Sequence, residues 1–92
     1  MRVVRADSYL RRFRGLGGRA AIPPDVALLI PRCRSVHTLT MRFPLDLVWL
    51  DASGRAVRVD RGVGRFRLRV CLRARAVLEC RAGEADRFLA EQ

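Results

Sequence analysis

Lysine is absent from this chain. All 19 of its basic residues are arginine, and with nine acidic residues they give a net charge of +10 over 92 residues. Two explanations fit. A genome rich in G and C enriches arginine codons without any selected partner; alternatively, arginine is kept because its planar fork binds phosphate and carboxylate at two points. The positive field exists in either case, and it favours anionic partners.

Long apolar runs are absent as well. No stretch reaches the ~20 apolar residues of a membrane-spanning helix, because residues 20–30 are interrupted by Pro23, Pro24 and Asp25. The N-terminus has no apolar signal core, so we expect a cytoplasmic protein. Hydrophobic residues make up 50% of the chain, which predicts an ordered core, and the length suits one small domain over residues 1–92.

Cysteine is scarce, and its number is odd. Cys33, Cys71 and Cys80 in a reducing compartment predict free, mostly buried thiols. Together with His37 they include the ligand types of a Cys3His zinc site, but the chain has no C-x2-C pair, and we predict no metal and no cofactor. A Cys33 nucleophile with His37 as its base is disfavoured, because no third residue is evident to orient the pair.

The segment over residues 36–51 organises the predicted fold. Residues 45–50 form a nearly continuous apolar run between Pro44 and Gly54, too short for a helix core, which predicts a central strand buried on both faces. Asp46 interrupts this run. A buried carboxylate is costly unless it is paired or hydrogen-bonded, so Asp46 is either a site residue or a structural anchor.

Weaker patterns around this segment predict a mostly β (α+β) fold. We expect a small barrel-like or sandwich-like sheet, antiparallel or mixed, with a short N-terminal helix and a C-terminal helix. The strands are expected over residues 1–6, 26–30, 45–50, 55–60, 65–73 and 76–80, the helices over about 7–16 and 84–91, and a hairpin turn at 51–54.

Several short motifs also follow one another in order. They are Arg14-Gly15-Leu16 with Arg19, Leu28-Leu29-Ile30, Cys33, Ser35-Val36-His37-Thr38, Met41-Arg42-Phe43-Pro44-Leu45-Asp46, the Leu50-Asp51-x-x-Gly54 turn, and Val77-Leu78-Glu79 with Ala82-Gly83. Their order and spacing over residues 11–83 resemble the family called domain of unknown function 192. The resemblance implies a small β-rich domain with a helix or two on a compact, barrel-like sheet. It implies no established activity.

The chain departs from the pattern of that family near its end. Cys80-Arg81 stands where the family usually has an apolar residue and a proline, and the loop after Asp60 lacks the usual proline. The chain ends at Gln92, where the family commonly continues into a Gly-Asp turn and a last strand. A missing strand would leave one sheet edge open, so we expect a homodimer or a partner strand to close it.

The resemblance also marks a set of polar residues at motif positions: Arg19, His37, Thr38, Asp46 and Glu79. One interpretation is a cleft in which carboxylates and an imidazole hold a small polar ligand or move a proton. The other, which we favour, is a structural network in which Arg19 pairs with a carboxylate. No residue is assigned a catalytic role, and a binding protein is expected rather than an enzyme.

The clearest alternating pattern lies over residues 65–73. Its apolar members, predicted to face the core, are Phe66, Leu68, Val70 and Leu72, and its opposite face carries Arg65, Arg67, Arg69 and Arg73. This arginine stripe is the predicted anion-binding surface for an acidic protein, nucleic acid or an anionic membrane surface, although it could be only a solvated face. No aromatic residue alternates with the arginines, so base stacking is not expected.

These observations predict a small basic binding or accessory module. Protein–protein interaction or assembly through the basic strand face and the open sheet edge ranks first. Binding to the nucleic-acid backbone ranks second, and a small-molecule or enzymatic cleft that uses His37, Asp46 and Glu79 ranks third.

Overall fold

The computed structural model of the chain describes residues 1–5, 22–37, 43–64 and 66–91. These residues form seven strands and one helix, which confirms the mostly β prediction. The elements are β1 (Arg2–Arg5), β2 (Val26–Pro31), β3 (Ser35–His37), β4 (Leu45–Leu50), β5 (Ala56–Val63), β6 (Leu68–Val70), β7 (Ala76–Arg81) and α1 (Ala85–Ala90). The N-terminal helix predicted for residues 7–16 lies outside the described residues.

Five strands form one mixed sheet in the order β1-β2-β7-β4-β5. The β1–β2 pair is parallel, and the other three pairs are antiparallel. The strands β3 and β6 form a separate antiparallel ribbon. The described strands do not close into a barrel, so of the two predicted arrangements the barrel-like one is not formed by this part of the chain.

The central strand is β4, and all six of its residues are buried, as the apolar run predicts. Its side chains alternate between two cores on opposite faces of the sheet. The helix-side core consists of Ala27, Val48, Leu50, Leu78, Cys80 and Ala85, with Phe88 and Leu89 of α1 packed against it. The ribbon-side core consists of Ile22, Leu28, Val36, Leu45, Leu47, Trp49, Val63, Cys71, Ala74 and Val77.

The predicted hairpin turn joins β4 to β5. Gly54 donates its backbone N–H to the carbonyl of Asp51 at 3.0 Å and has a φ of +85°, a conformation that glycine adopts without strain. The carboxylate of Asp51 accepts hydrogen bonds from the backbone N–H groups of Ser53 and Arg55, which holds the turn closed.

The helix α1 packs on the face of the sheet opposite the β3–β6 ribbon. Ala85 is fully buried at its start, and at its end the carboxylate of Glu91 pairs with the N-terminal ammonium of Met1 at 2.8 Å. This pair ties the end of the helix to the start of β1. In the part of the chain that the structure describes, no helix is long and apolar enough to cross a membrane.

Candidate functional site

The five polar residues predicted to share a cleft are spread over the chain. Arg19 and Thr38 lie outside the described residues. His37 is the last residue of β3, while Asp46 lies in β4 and Glu79 in β7. The location of the two carboxylates relative to the sheet therefore decides whether a common cleft exists.

Asp46 and Glu79 lie on opposite faces of the sheet. Asp46 is paired with Cys80 of the helix-side core, whereas Glu79 is paired with Leu47 of the ribbon-side core. Neighbouring residues in a strand point to opposite faces, and β4 and β7 are paired without interruption over this region. The sheet thus separates the two carboxylates, and a cleft containing both does not form.

The Asp46 carboxylate is a structural anchor. The residue is only 1% exposed. Its Oδ1 accepts the N–H of Gly62 at 2.9 Å, and its Oδ2 accepts the N–H groups of Gly83 at 2.9 Å and Ala85 at 3.1 Å. Glu84, at the N-cap of α1, forms no side-chain cap bond. Asp46 therefore takes that capping role from a neighbouring strand and joins β4, β5 and α1.

Glu79 has a different environment. It lies half-buried in a row across the sheet between Leu28 of β2 and Leu47 of β4. Burial beside these apolar side chains disfavours the charged carboxylate and raises the pKa of Glu79 to about 7. Glu79 is therefore a carboxyl group that titrates near neutral pH on the ribbon side of the sheet.

The three cysteines are free thiols, as predicted. Cys33 is half-buried, and its Sγ donates a hydrogen bond to the carbonyl of Ser35 at 3.0 Å. Burial is the main cause that raises the pKa of Cys33, and the negative charge of Glu79 adds to the rise. The thiol is therefore mostly protonated at neutral pH and a weak nucleophile.

The cysteines do not converge on one point. Cys71 belongs to the ribbon-side core and Cys80 to the helix-side core. Among the residues of known placement, no group of three His, Cys, Asp or Glu side chains could hold a metal ion.

The strand β6 presents the opposite face to the one predicted. The apolar side chains assigned to the core are exposed, with fractions of 65% for Phe66, 62% for Leu68, 44% for Val70 and 78% for Leu72. Cys71, assigned to the solvent face, is 4% exposed. The prediction that these four apolar residues form part of the core is wrong.

Pairing with β3 sets this orientation. Val36 is buried in the ribbon-side core, and it is paired with Arg69. Cross-strand partners share a face, so the arginine side of β6 faces inward, where Arg69 interacts electrostatically with Asp60. An alternating pattern shows that one face of a strand is buried but not which one.

The arginines of the stripe are consequently not all exposed on one face. Arg65 lies outside the described residues. Arg67 is exposed, whereas Arg69 is half-buried and donates to the carbonyl of Leu68 at 3.0 Å. Arg73 is exposed and donates to the carbonyl of Val57 at 3.4 Å. Because Arg69 is half-buried whereas Arg67 and Arg73 are exposed, the three described arginines do not form one continuous solvated face.

A different set of arginines converges on one cavity. Arg32, Arg34 and Arg75 line a cavity of about 290 Å³ at one end of the sheet. The pairing of Pro31 with Ala76 brings the end of β2 next to the start of β7. Arg32 and Arg34 are close in the sequence, but Arg75 is distant from both, and only the pairing of β2 with β7 brings it beside them.

Comparison with known proteins identifies the fold and the family. The family model described as uncharacterized ACR, domain of unknown function 192 (DUF192), matches residues 1–91. A crystal structure of a protein of unknown function from Novosphingobium aromaticivorans is similar with a TM-score of 0.65 and 17% sequence identity, over 92% of this chain and 64% of that one. The chain thus spans about two thirds of the length of that protein, and at this identity the likeness shows the fold alone. No curated protein matches the chain. The match over nearly the whole chain shows that this protein belongs to the DUF192 family, as the order of its motifs indicates.

Proposed function

We propose that this protein is a protein-interaction module that binds an acidic partner through one apolar surface. That surface, the β6 apolar face, consists of Phe66, Leu68, Val70 and Leu72. The observation that carries the proposal is the exposure of all four side chains, between 44% and 78%, along one short segment.

The energetic argument rests on the cost of leaving apolar surface in water. Each Å² of apolar surface removed from water contributes about 25 cal/mol, and large exposed apolar patches on monomeric proteins are frequently binding sites. Leu68 and Val70 lie about 7 Å apart on the same side of β6, and Phe66 and Leu72 flank them in the chain. A partner that covers this row removes its exposed apolar surface from water.

Charge indicates what kind of partner this is. The chain carries a net charge of +10, and the exposed residues Arg67 and Arg73 alternate with the apolar row in the sequence. A second copy of the same chain would bring an equal positive charge to the interface and be repelled. An acidic protein segment that carries apolar side chains matches the β6 apolar face in both respects.

The β5 edge of the sheet is a weaker candidate for the interface. The outer strand β5 is paired with β4 through two register shifts, and Arg73 donates to a carbonyl of β5 at Val57. Irregular pairing and covered backbone groups are two ways in which proteins protect an edge strand. These features favour the β6 apolar face over a homodimer built by strand addition, which was the second route to assembly that the sequence left open.

The proposal is tested with short labelled peptides in which acidic and apolar residues alternate, taken from a display library. We expect the best binders to lose about tenfold or more in affinity when Leu68 and Leu72 are both changed to serine. The matched control is Val3→Ser, because Val3 is an apolar residue of β1 that is 46% exposed. This control should leave the affinity unchanged, and both variants should be folded by circular dichroism.

Several outcomes would contradict the proposal. Equal weakening by Val3→Ser would show non-specific apolar binding. Peptides whose acidic residues are replaced by lysine should not bind, and binding by them would remove the charge argument. A dimer in sedimentation that is lost in the Leu68 and Leu72 variant would assign the surface to a second copy. Binding to short DNA or RNA with a steep salt dependence would favour the nucleic-acid alternative.

A further inference from the structure

We infer that Arg32, Arg34 and Arg75 form a binding site for the phosphate group of a small molecule. The three side chains line one cavity of about 290 Å³, which we call the arginine cavity. Its lining residues are not those of the β6 apolar face, although Arg34 adjoins that face through Cys71, and the inference does not rest on the proposed interaction with a protein.

The backbone holds two of these arginines at adjoining strand ends. Arg32 directly follows Pro31, which is paired with Ala76, and Arg75 directly precedes Ala76. The N–H of Arg75 donates to the carbonyl of Leu50 at 2.7 Å, which ties it to the end of β4. The cavity therefore lies at the surface, where the ends of β2 and β4 meet the start of β7.

Arg34 is held by both its backbone and its side chain. Its carbonyl accepts the N–H of Cys71 at 2.8 Å, and its Nε donates to the carbonyl of Ala74 at 3.2 Å. Because Nε is used for this anchor, the terminal nitrogens of the guanidinium are the groups available to a ligand. A side chain fixed in this way loses less conformational entropy when it binds an anion.

The conformation of Arg32 is also unusual. It has a φ of +55°, in the left-handed region that residues other than glycine seldom adopt. Residues kept in such conformations are enriched at binding sites, where the surrounding structure fixes a side chain in place. Here the turn after β2 places Arg32 beside the other two arginines.

Among the described residues, none of the three arginines that line the arginine cavity forms an ion pair. Ion pairs are formed instead by other arginines elsewhere in the molecule: Arg58 with Asp60, Arg61 with Asp86, and Arg87 with Asp25 and Glu84. Asp51 follows Leu50 at the same end of β4, but its Oδ1 already accepts three hydrogen bonds from Ser53 and Arg55. Three neighbouring guanidiniums repel one another, and a bound anion would relieve that repulsion.

Phosphate is the anion that fits this arrangement. The forked guanidinium donates two parallel hydrogen bonds to phosphate oxygens, and a dianionic phosphate group balances most of the charge of three arginines. The volume lies at the lower limit of cavities that hold small molecules, which are roughly 300–1,000 Å³. A small phosphorylated molecule therefore fits better than a polymer.

The test is a calorimetric titration with inorganic phosphate at constant ionic strength in a chloride buffer. We expect saturable binding at one site, weakened about tenfold or more by Arg75→Gln or by Arg32→Gln. Both residues are exposed, so their substitution should leave the fold intact, which circular dichroism verifies. Arg2→Gln is the matched control, because it removes the same charge from an exposed position on β1.

Four other results would each overturn the inference that the arginine cavity binds phosphate. An equal loss in Arg2→Gln would mean that phosphate responds only to the net charge. Binding of citrate that is as tight as that of phosphate, and equally sensitive to Arg75→Gln, would assign the cavity to carboxylates. Tighter binding of a short oligonucleotide with a steep salt dependence would assign it to nucleic acid. No heat of binding and no phosphate-dependent rise in Tm would remove the site altogether.

Discussion

Trp49 and Asp60 join the central strand to its neighbour through a partly buried hydrogen bond. The indole Nε1 of Trp49 donates to Asp60 Oδ2 at 2.9 Å, and Arg58 Nη2 donates to the same oxygen at 2.7 Å. The guanidinium carbon of Arg58 also lies 5.4 Å from the centre of the Trp49 ring. The fully buried tryptophan therefore has a partner for its one polar atom.

Replacing Asp60 by asparagine should weaken this cluster. Burial alone would raise the pKa of Asp60, but the hydrogen bonds from Arg58 and Trp49 outweigh burial, and the pKa is lowered. We expect Asp60→Asn to lower the free energy of unfolding by about 1–2 kcal/mol at pH 7. The measurement is urea unfolding followed by the fluorescence of Trp49.

The pH dependence of this loss follows from its sign. A carboxylate whose pKa is lowered in the folded state stabilises the protein above its unfolded pKa, and this stabilisation disappears as the pH falls through the folded pKa. The difference between wild type and Asp60→Asn should therefore shrink in acid. Asp86→Asn, which removes an exposed ion pair with Arg61, is the control and should have little effect. An equal loss in both variants would show that the cluster of Trp49, Arg58 and Asp60 stabilises the fold no more than an exposed ion pair does.

Asp46→Asn should be the most damaging of the carboxylate substitutions. The carboxylate accepts three backbone N–H groups, and an asparagine amide must turn an N–H toward at least one of them. Breaking the interactions of a buried charged group costs about 3 kcal/mol, which is the expected loss in chemical unfolding. Binding of peptide and phosphate by the remaining folded protein should be unchanged. A stable variant with impaired binding would return Asp46 to the list of site residues.

Because of Glu79, we expect the free energy of unfolding to fall as the pH rises. Its folded pKa of about 7 lies above its ordinary value of 4.5, so between these values the folded state binds more protons than the unfolded state. Wild type should therefore lose stability across this interval, by at most about 3 kcal/mol. In Glu79→Gln this dependence should disappear, and the variant should be more stable than wild type at pH 8. Asp86→Asn, which changes an exposed carboxylate paired with Arg61, should keep the wild-type dependence between pH 5 and 8; identical profiles for wild type and Glu79→Gln would contradict the prediction.

Patterns that depend on neighbouring residues were sufficient to predict most of the strands. The apolar run over residues 45–50 predicted the buried strand β4, and the turn residues 51–54 predicted its hairpin with β5, because both signals are local. The anchoring of Asp46 was one of the two interpretations that the sequence left open. Its partners Gly62, Gly83 and Ala85 come from other elements, and only the folded sheet identifies them.

The features that the sequence could not predict depend on pairing between distant segments. The orientation of β6 follows from the pairing of Arg69 with Val36, and no pattern within residues 65–73 contains that information. Likewise, the opposite orientation of Asp46 and Glu79 follows from their register across β4 and β7. The family motif therefore identifies both carboxylates as candidate site residues, but it does not indicate which face of the sheet each one occupies.

Thiol labelling tests the two cores directly. Cys80 is buried in the helix-side core, and burial, together with the charges of Asp46, Glu84 and Glu79, raises its pKa to about 12. At pH 8 almost none of Cys80 is thiolate, the reactive form, and Cys71 is shielded because it is 4% exposed. Half-buried Cys33 should therefore be the first thiol of the native protein to react with iodoacetamide, as mass spectrometry would show by a single label. Cys33→Ser should abolish this fast labelling, whereas urea should expose the other two cysteines in both proteins. Labelling of Cys80 as fast as that of Cys33 would show that α1 does not cover the helix-side core in solution.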